Sequence, residues 1–147
     1  MESDPSFLTR AQLSALIPHS GSMCLLDSVQ EWTADSIRCA SASHRDPANP
    51  LRGPTGLAAL HLIEYGAQAM ALHGALLAQG GPQPGMIGAL RDIKLHVARI
   101  DDLAAPLLVT AQRRLARSDG LIYDFVVRLG DDTLRRLCEG RVSVVLA

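Results

Sequence analysis

The longest apolar stretch of the chain runs from Leu57 to Gln79, dense in Ala and Leu, free of proline and closed by GGPQPG. Such a run predicts one helix of about six turns at 3.6 residues per turn. Its apolar residues surround nearly the whole wheel, so the helix is buried on most sides or lies in lipid. Glu64, Gln68 and two histidines within it argue against lipid. On either side the pattern changes to extended segments. Met23 to Trp32 and Ser36 to His44, separated by the turn TADS, predict an antiparallel hairpin. Met86 to Ile100, Pro106 to Arg117, Leu121 to Leu129 and Thr133 to Leu146 predict four further strands: IYDFVVRL and RVSVVL alternate with period two, and SDG and GDD are turn signals. Near the start, Thr9 with Gln12 three residues on has the form of a capping box, which predicts a short helix from Thr9 to Leu16, ended by Pro18. RDPANPLRGPTG, Arg45 to Gly56, has three prolines and two glycines, and reads as a surface or active-site loop.

The predicted order is a short helix, two strands, a long helix and four strands. An antiparallel sheet needs cover for its apolar face, and the long helix is the one element able to give it. The expected fold is α+β, a curved antiparallel sheet of five to six strands wrapped around one long central helix, the hot-dog architecture. A chain of 147 residues makes this one domain, residues 1–147.

Composition narrows the function classes. The chain is 48% hydrophobic and 20% charged with a formal net charge of −1, which gives no electrostatic reason to bind nucleic acid or an anionic membrane. Lys94 is the single lysine among 14 basic residues, a bias read as base composition of the source genome. Cys24, Cys39 and Cys138 are far apart and lack the C-x-x-C spacing of metal or redox sites, so reduced thiols and no metal centre are expected. MESDPSF is acidic where a signal peptide is basic, and no apolar h-region follows it, so a cytoplasmic location is expected.

Candidate chemistry sits on the long helix. His61, Glu64 and Gln68 stand at i, i+3 and i+7, so they share one face and form a polar stripe on an apolar rod. A carboxyl buried without a partner keeps its proton near neutrality, as a general acid must, and Gln68 one turn on could hold it in one orientation. The competing reading gives Glu64 an arginine partner and makes His61 a satisfied core or interface residue. His73 and Tyr65 fall elsewhere on the wheel and read as structural.

IEYGAQAM resembles the E-x-x-A-Q helix motif of hot-dog 3-hydroxyacyl-[acyl-carrier-protein] dehydratases. IPHSGSMCLLDSV resembles their PH-x-x-P-M-L-L-L-D segment, with Ser22 in the proline position. The two motifs agree in order and separation, GALRDIKLHVARIDD falls at that family's next strand, and the likeness spans about Leu16 to Leu146. The subgroup most similar is the one associated with aryl-polyene and related polyketide-like clusters, which carries a PLR loop before a Glu-Tyr helix. The resemblance implies a homodimer or higher oligomer with active sites at the subunit interface, and removal of water from a 3-hydroxyacyl thioester on the phosphopantetheine of acyl carrier protein or coenzyme A. No further cofactor is implied. In that family a loop histidine takes the α-proton and a helix carboxylic acid protonates the departing hydroxyl, while helix N-terminal N–H groups polarise the carbonyl. Glu64 takes the acid position, Gln68 supports it, and the N–H groups around Leu57, Ala59 and Leu60 are the implied carbonyl contacts. Asn49 in NPLR occupies the histidine slot, and an amide cannot take a proton at neutral pH. Either the base has moved, with His61 and His44 as candidates, or the chain does not dehydrate. His19, in the PH turn, reads as a structural residue.

Two alternatives follow. One is a hot-dog acyl thioesterase with Glu64 as nucleophile or base; the other is a non-catalytic acyl-binding subunit, heterodimeric with a related active dehydratase. Arg113, Arg114, Arg117, Arg135 and Arg136 could dock an acidic carrier protein, although a solvated strand surface accounts for most of them.

Overall fold

The computed structural model describes residues 7–16, 24–78 and 85–146. The short helix α1 spans Arg10–Ser14, and the Thr9 N–H donates to Gln12 Oε1 at 2.9 Å, the reciprocal cap expected from T-x-x-Q. Pro18, His19 and Ser22 lie outside the described residues.

Six strands follow the predicted order: β1 Ser28–Trp32, β2 Ser36–Ser41, β3 Gly85–Leu95, β4 Leu107–Ala116, β5 Gly120–Leu129 and β6 Arg136–Leu146. They form one antiparallel sheet in the order β1-β2-β4-β5-β6-β3. The long helix α2, Leu62–Leu77, packs on one face of this sheet against β4, β2, β5 and β6. In β5, Tyr123, Phe125, Val127 and Leu129 are buried beneath it, while Asp124, Val126 and Arg128 alternate with them. This is the hot-dog arrangement: Leu62, Tyr65, Ala69 and Leu72 of the helix close the core with Ile37, Cys39, Val109, Ala111 and Val142 of the sheet.

Gly66 explains how closely the rod lies. A Cβ there would come within 2.7 Å of Phe125 Cδ2, so the glycine, a poor helix former, lets the helix settle onto the aromatic ring.

The helix starts later than its apolar run predicts. A 3₁₀ turn, Ala59–His61, precedes α2, and Ala58 before it is extended. The Ala59 N–H donates to the Ala98 carbonyl at 2.9 Å, the Ile100 N–H to the Leu57 carbonyl at 3.0 Å, and Ala58 bridges Arg99. These pairings claim the backbone that the first helical turn would use. They also end β3 at Leu95, short of the expected Ile100. Asp101 fixes the junction: its carboxylate accepts the Leu57 N–H at 2.9 Å and pairs with Arg99 at 2.8 Å, which holds it well below the usual carboxylate range. It packs where a Cβ on Gly56, at φ +108°, would stand. Gln79, the expected end of the helix, lies outside the described residues.

Strand β3 is the exception to the buried pattern. It is an edge strand that α2 does not pack closely against, and Met86, Ile87, Leu90 and Leu95 are exposed along its length. A long apolar edge invites pairing with another chain.

Candidate functional site

Glu64 stands in the first turn of α2, half-buried, at one end of an apolar cleft of about 280 Å3. Ala67, Ala71 and Gly74 of the helix form one wall; Tyr123 of β5 and Ile87 of the exposed edge strand lie across from them. The carboxyl does not hang free. Gln68 Nε2 donates to Glu64 Oε2 at 3.3 Å, while Gln68 Oε1 accepts the Leu25 N–H at 2.9 Å. Gln68 is fully buried, so its amide is clamped between a backbone donor and the carboxylate, and it transmits the position of the segment before β1 to Glu64.

Asn49 is placed differently. Its Nδ2 donates to the Ser43 carbonyl at 2.9 Å and to the Tyr65 hydroxyl at 3.2 Å, and its Oδ1 accepts the Leu51 N–H at 2.9 Å. Both amide hydrogens are thus engaged in ordering the loop, and the residue is 6% exposed. Asn49 borders a polar cleft shared with Arg10, Asp27 and Asp46, not the apolar cleft of Glu64. Within one chain the two positions do not face a common substrate.

They are nevertheless linked. Tyr65 Oη lies 2.8 Å from Ser43 Oγ, and Ser43 Oγ donates to the Leu25 carbonyl at 2.7 Å, the residue whose N–H binds Gln68. A buried chain of polar groups therefore runs from Asn49 through Tyr65, Ser43 and Leu25 to Gln68 and Glu64. Burial raises the Tyr65 pKa above its ordinary value, so the phenol stays protonated. Tyr65, read from the wheel as structural, and Ser43, not singled out at all, are the residues that hold the site together. The sequence signal for Tyr65 was its place next to Glu64 in a chain with 3% aromatic residues.

The histidines separate clearly. His61, half-buried at the junction of the 3₁₀ turn and α2, makes no side-chain hydrogen bond among the described residues and lines none of these clefts. His44 is fully buried, with Nε2 2.9 Å from the Leu103 carbonyl and Nδ1 without a partner; burial and the charges of Arg45 and Arg52 lower its pKa. It does not line the apolar cleft. His73 is a core residue: Nε2–H donates to the Thr33 carbonyl at 2.8 Å, which leaves Nδ1 to accept the Tyr123 hydroxyl at 2.6 Å. Glu64 and Tyr123 are the titratable groups in the cleft, and burial pushes Tyr123 up to about 12.

One implied contact set needs correction. The Leu57 N–H is taken by the Asp101 carboxylate and the Ala59 N–H by the Ala98 carbonyl, so neither is left for a thioester carbonyl, because the segment is paired rather than helical. Leu60, by contrast, is 58% exposed. The arginines do not form one basic patch. Arg113 lies opposite Tyr123 in the β4–β5 ladder and shares its helix-side face, whereas Arg114 pairs with Asp124 at 2.9 Å and Arg136 with Glu139 at 3.2 Å. Among the described residues no three His, Cys, Asp or Glu side chains cluster to hold a metal, and no helix is long and apolar enough to cross a membrane.

Comparison with known proteins places this geometry. Over residues 11–147 the chain matches the model of the ApeP-like family, described as ApeP dehydratase. No curated protein matches it. Among solved structures it is similar to the dehydratase heterocomplex ApeI:P from Xenorhabdus doucetiae, with 19% identity, a TM-score of 0.77 and coverage of 92% of this chain and 90% of that one. It is also similar to zebrafish thioesterase superfamily member 2, at 13% identity and TM-score 0.63, covering 94% of this chain and 92% of that one. A hypothetical thioesterase with coenzyme A from Streptococcus pneumoniae gives 12% identity and TM-score 0.58, over 81% and 84% of the two chains. At these identities the structures establish the hot-dog fold; the family match, running from α1 through the whole sheet, establishes that the chain belongs to the ApeP-like dehydratase family.

Proposed function

We propose that the chain removes water from a 3-hydroxyacyl thioester, with Glu64 as the acid. The observation that carries this is the Glu64 carboxyl, clamped by Gln68 at one end of a cleft otherwise lined almost wholly by apolar groups. In the reaction a base takes the proton from Cα, the Cα–Cβ double bond forms as the Cβ–O bond breaks, and the Glu64 proton leaves with the hydroxyl as water. A carboxyl held beside an apolar channel suits both the proton transfer and an acyl chain.

The cleft holds no imidazole from the described residues of this chain, and Asn49 cannot serve as the base. In this reading the base comes from a second subunit, which completes the cleft along the β3 edge. A related dehydratase is the partner favoured by this reading, since the similar structure from Xenorhabdus is a heterocomplex. A homodimer would repeat Asn49 in both halves. The acyl group is delivered on phosphopantetheine, with acyl carrier protein as the proposed carrier.

The test is incubation of a 3-hydroxyacyl carrier protein with the chain alone and with a related dehydratase subunit, followed by mass spectrometry of the acyl species. Enoyl product that depends on this chain supports the reading. Free acid and thiol instead would establish the thioesterase alternative, which the lack of an imidazole among the described residues lining the Glu64 cleft favours, since a carboxylate alone can activate water. Neither product, with a known dehydratase active in parallel, would leave only acyl binding.

A further inference from the structure

The cleft beside Glu64 continues beyond its own walls. Gly74, Leu121 and Tyr123 also border a second cleft of about 160 Å3, completed by Leu77, Ala78 and Arg113. The two hollows share Gly74 on α2 and Leu121 and Tyr123 on β5, and their linings together run along the helix from its first turn to its end. At 1.5 Å per residue, Glu64 lies about 15 Å from Gly74 and about 21 Å from Ala78 along the axis.

Gly74 and Gly66 are the two glycines inside α2. Gly66 is accounted for by the Phe125 ring. Gly74 instead lines both clefts and has no side chain to place between them.

The far end is polar. Arg113 reaches it from the helix-side face of β4, directly opposite Tyr123 in the ladder. Its Nη2 donates to the Ala34 carbonyl at 3.1 Å, and no carboxylate among the described residues pairs with it, whereas neighbouring Arg114 is bound to Asp124. A guanidinium carries five N–H donors in a fixed fork, so donors remain for a ligand.

We propose that the two clefts form one acyl channel narrowed at Gly74, and that Arg113 binds an oxygen-bearing far end of the chain. The substrate class is then a long 3-hydroxyacyl group ending in a carboxylate or another oxygen acceptor, preferred over an equally long chain ending in methyl. The presence of an acyl chain rests on the thioester reading above; its length and polar end rest on Gly74 and Arg113.

Calorimetric titration with pantetheine amides tests this without turnover, using the protein in the assembly it forms in solution. The probes carry hexanoyl, hexadecanoyl and ω-carboxyhexadecanoyl chains. The wild type is expected to bind the ω-carboxy probe most tightly. Gly74→Leu should lower the ratio of hexadecanoyl to hexanoyl affinity at least about tenfold, with Gly74→Ala, which keeps the helix, shifting it in the same direction. Arg113→Met should lower the ratio of ω-carboxy to methyl-ended affinity by about tenfold. Ratios unchanged by these substitutions, or a wild type indifferent to chain length, would overturn the channel, as when a partner's side chains fill it. If the wild type forms no enoyl product yet the ratios behave as expected, the dehydratase reading fails and the channel stands.

Discussion

Replacing Gln68 by Leu separates the two functions that its amide performs. The side chain is fully buried and of similar size to leucine, so packing is nearly kept while the hydrogen bonds to Leu25 and Glu64 are lost. The Leu25 N–H is left in a buried position without its acceptor, which costs about 1 to 3 kcal/mol. For a chain of this length that corresponds to a melting temperature lower by about 3 to 10 °C. Glu64 loses the Gln68 amide as a donor, and a reacting group held less firmly in its geometry loses about tenfold or more in rate. The assays are denaturant unfolding of the variant and enoyl formation measured at saturating and at limiting substrate. The expected pattern is a fall in kcat with little change in KM, together with the stability loss. A variant within about 0.5 kcal/mol of wild type, with kcat unchanged, would refute the claim that Gln68 ties Glu64 to the segment before β1.

Three further outcomes follow from the geometry. Gly66→Ala should destabilise, because overpacking against Phe125 costs about 1 to 3 kcal/mol while the gain in helix propensity is at most about 1 kcal/mol; a melting temperature at or above wild type would contradict the close approach of α2. His44 and His73 both have pKa values lowered chiefly by burial, so below about pH 6.5 the unfolded chain binds more protons than the folded one and stability falls with pH. Denaturant midpoints across this range should show that slope, and His73→Gln should flatten it; a slope unchanged in the variant would remove His73 as a cause. Ile87→Glu, on the exposed inner side of β3, should weaken subunit association in sedimentation velocity, and an unchanged sedimentation coefficient would show that this edge does not carry the assembly.

Much of the architecture was legible because it is periodic. The long apolar run, the alternating strands and the turn signals are local properties, and all six strands and the central helix fall where they predict. The start of α2 was not legible, because it depends on Leu57 to Ala59 pairing with Ala98 to Ile100 about forty residues away. Asp101, which holds that junction, has no local signature in IDDLAAP. At the site, the i, i+4 spacing of Glu64 and Gln68 foretold their hydrogen bond. Counting along the loop identified Asn49 as the residue in the histidine slot but could not show that its amide turns toward Ser43 and Tyr65, away from Glu64's cleft. The role of Tyr65 was hidden for the same reason: a helical wheel shows which face a residue takes, not which hydroxyl waits beyond it.

The most direct test of the central claim is the rate at which 3-hydroxyacyl carrier protein is converted to the enoyl form by the wild type and by Glu64→Gln, each in the complete assembly. The glutamine keeps the shape and a hydrogen-bonding partner for Gln68 but has no proton to give the departing hydroxyl. The account predicts a folded variant whose turnover falls by about a hundredfold or more. Turnover equal to that of the wild type would show that Glu64 is not the acid of the reaction.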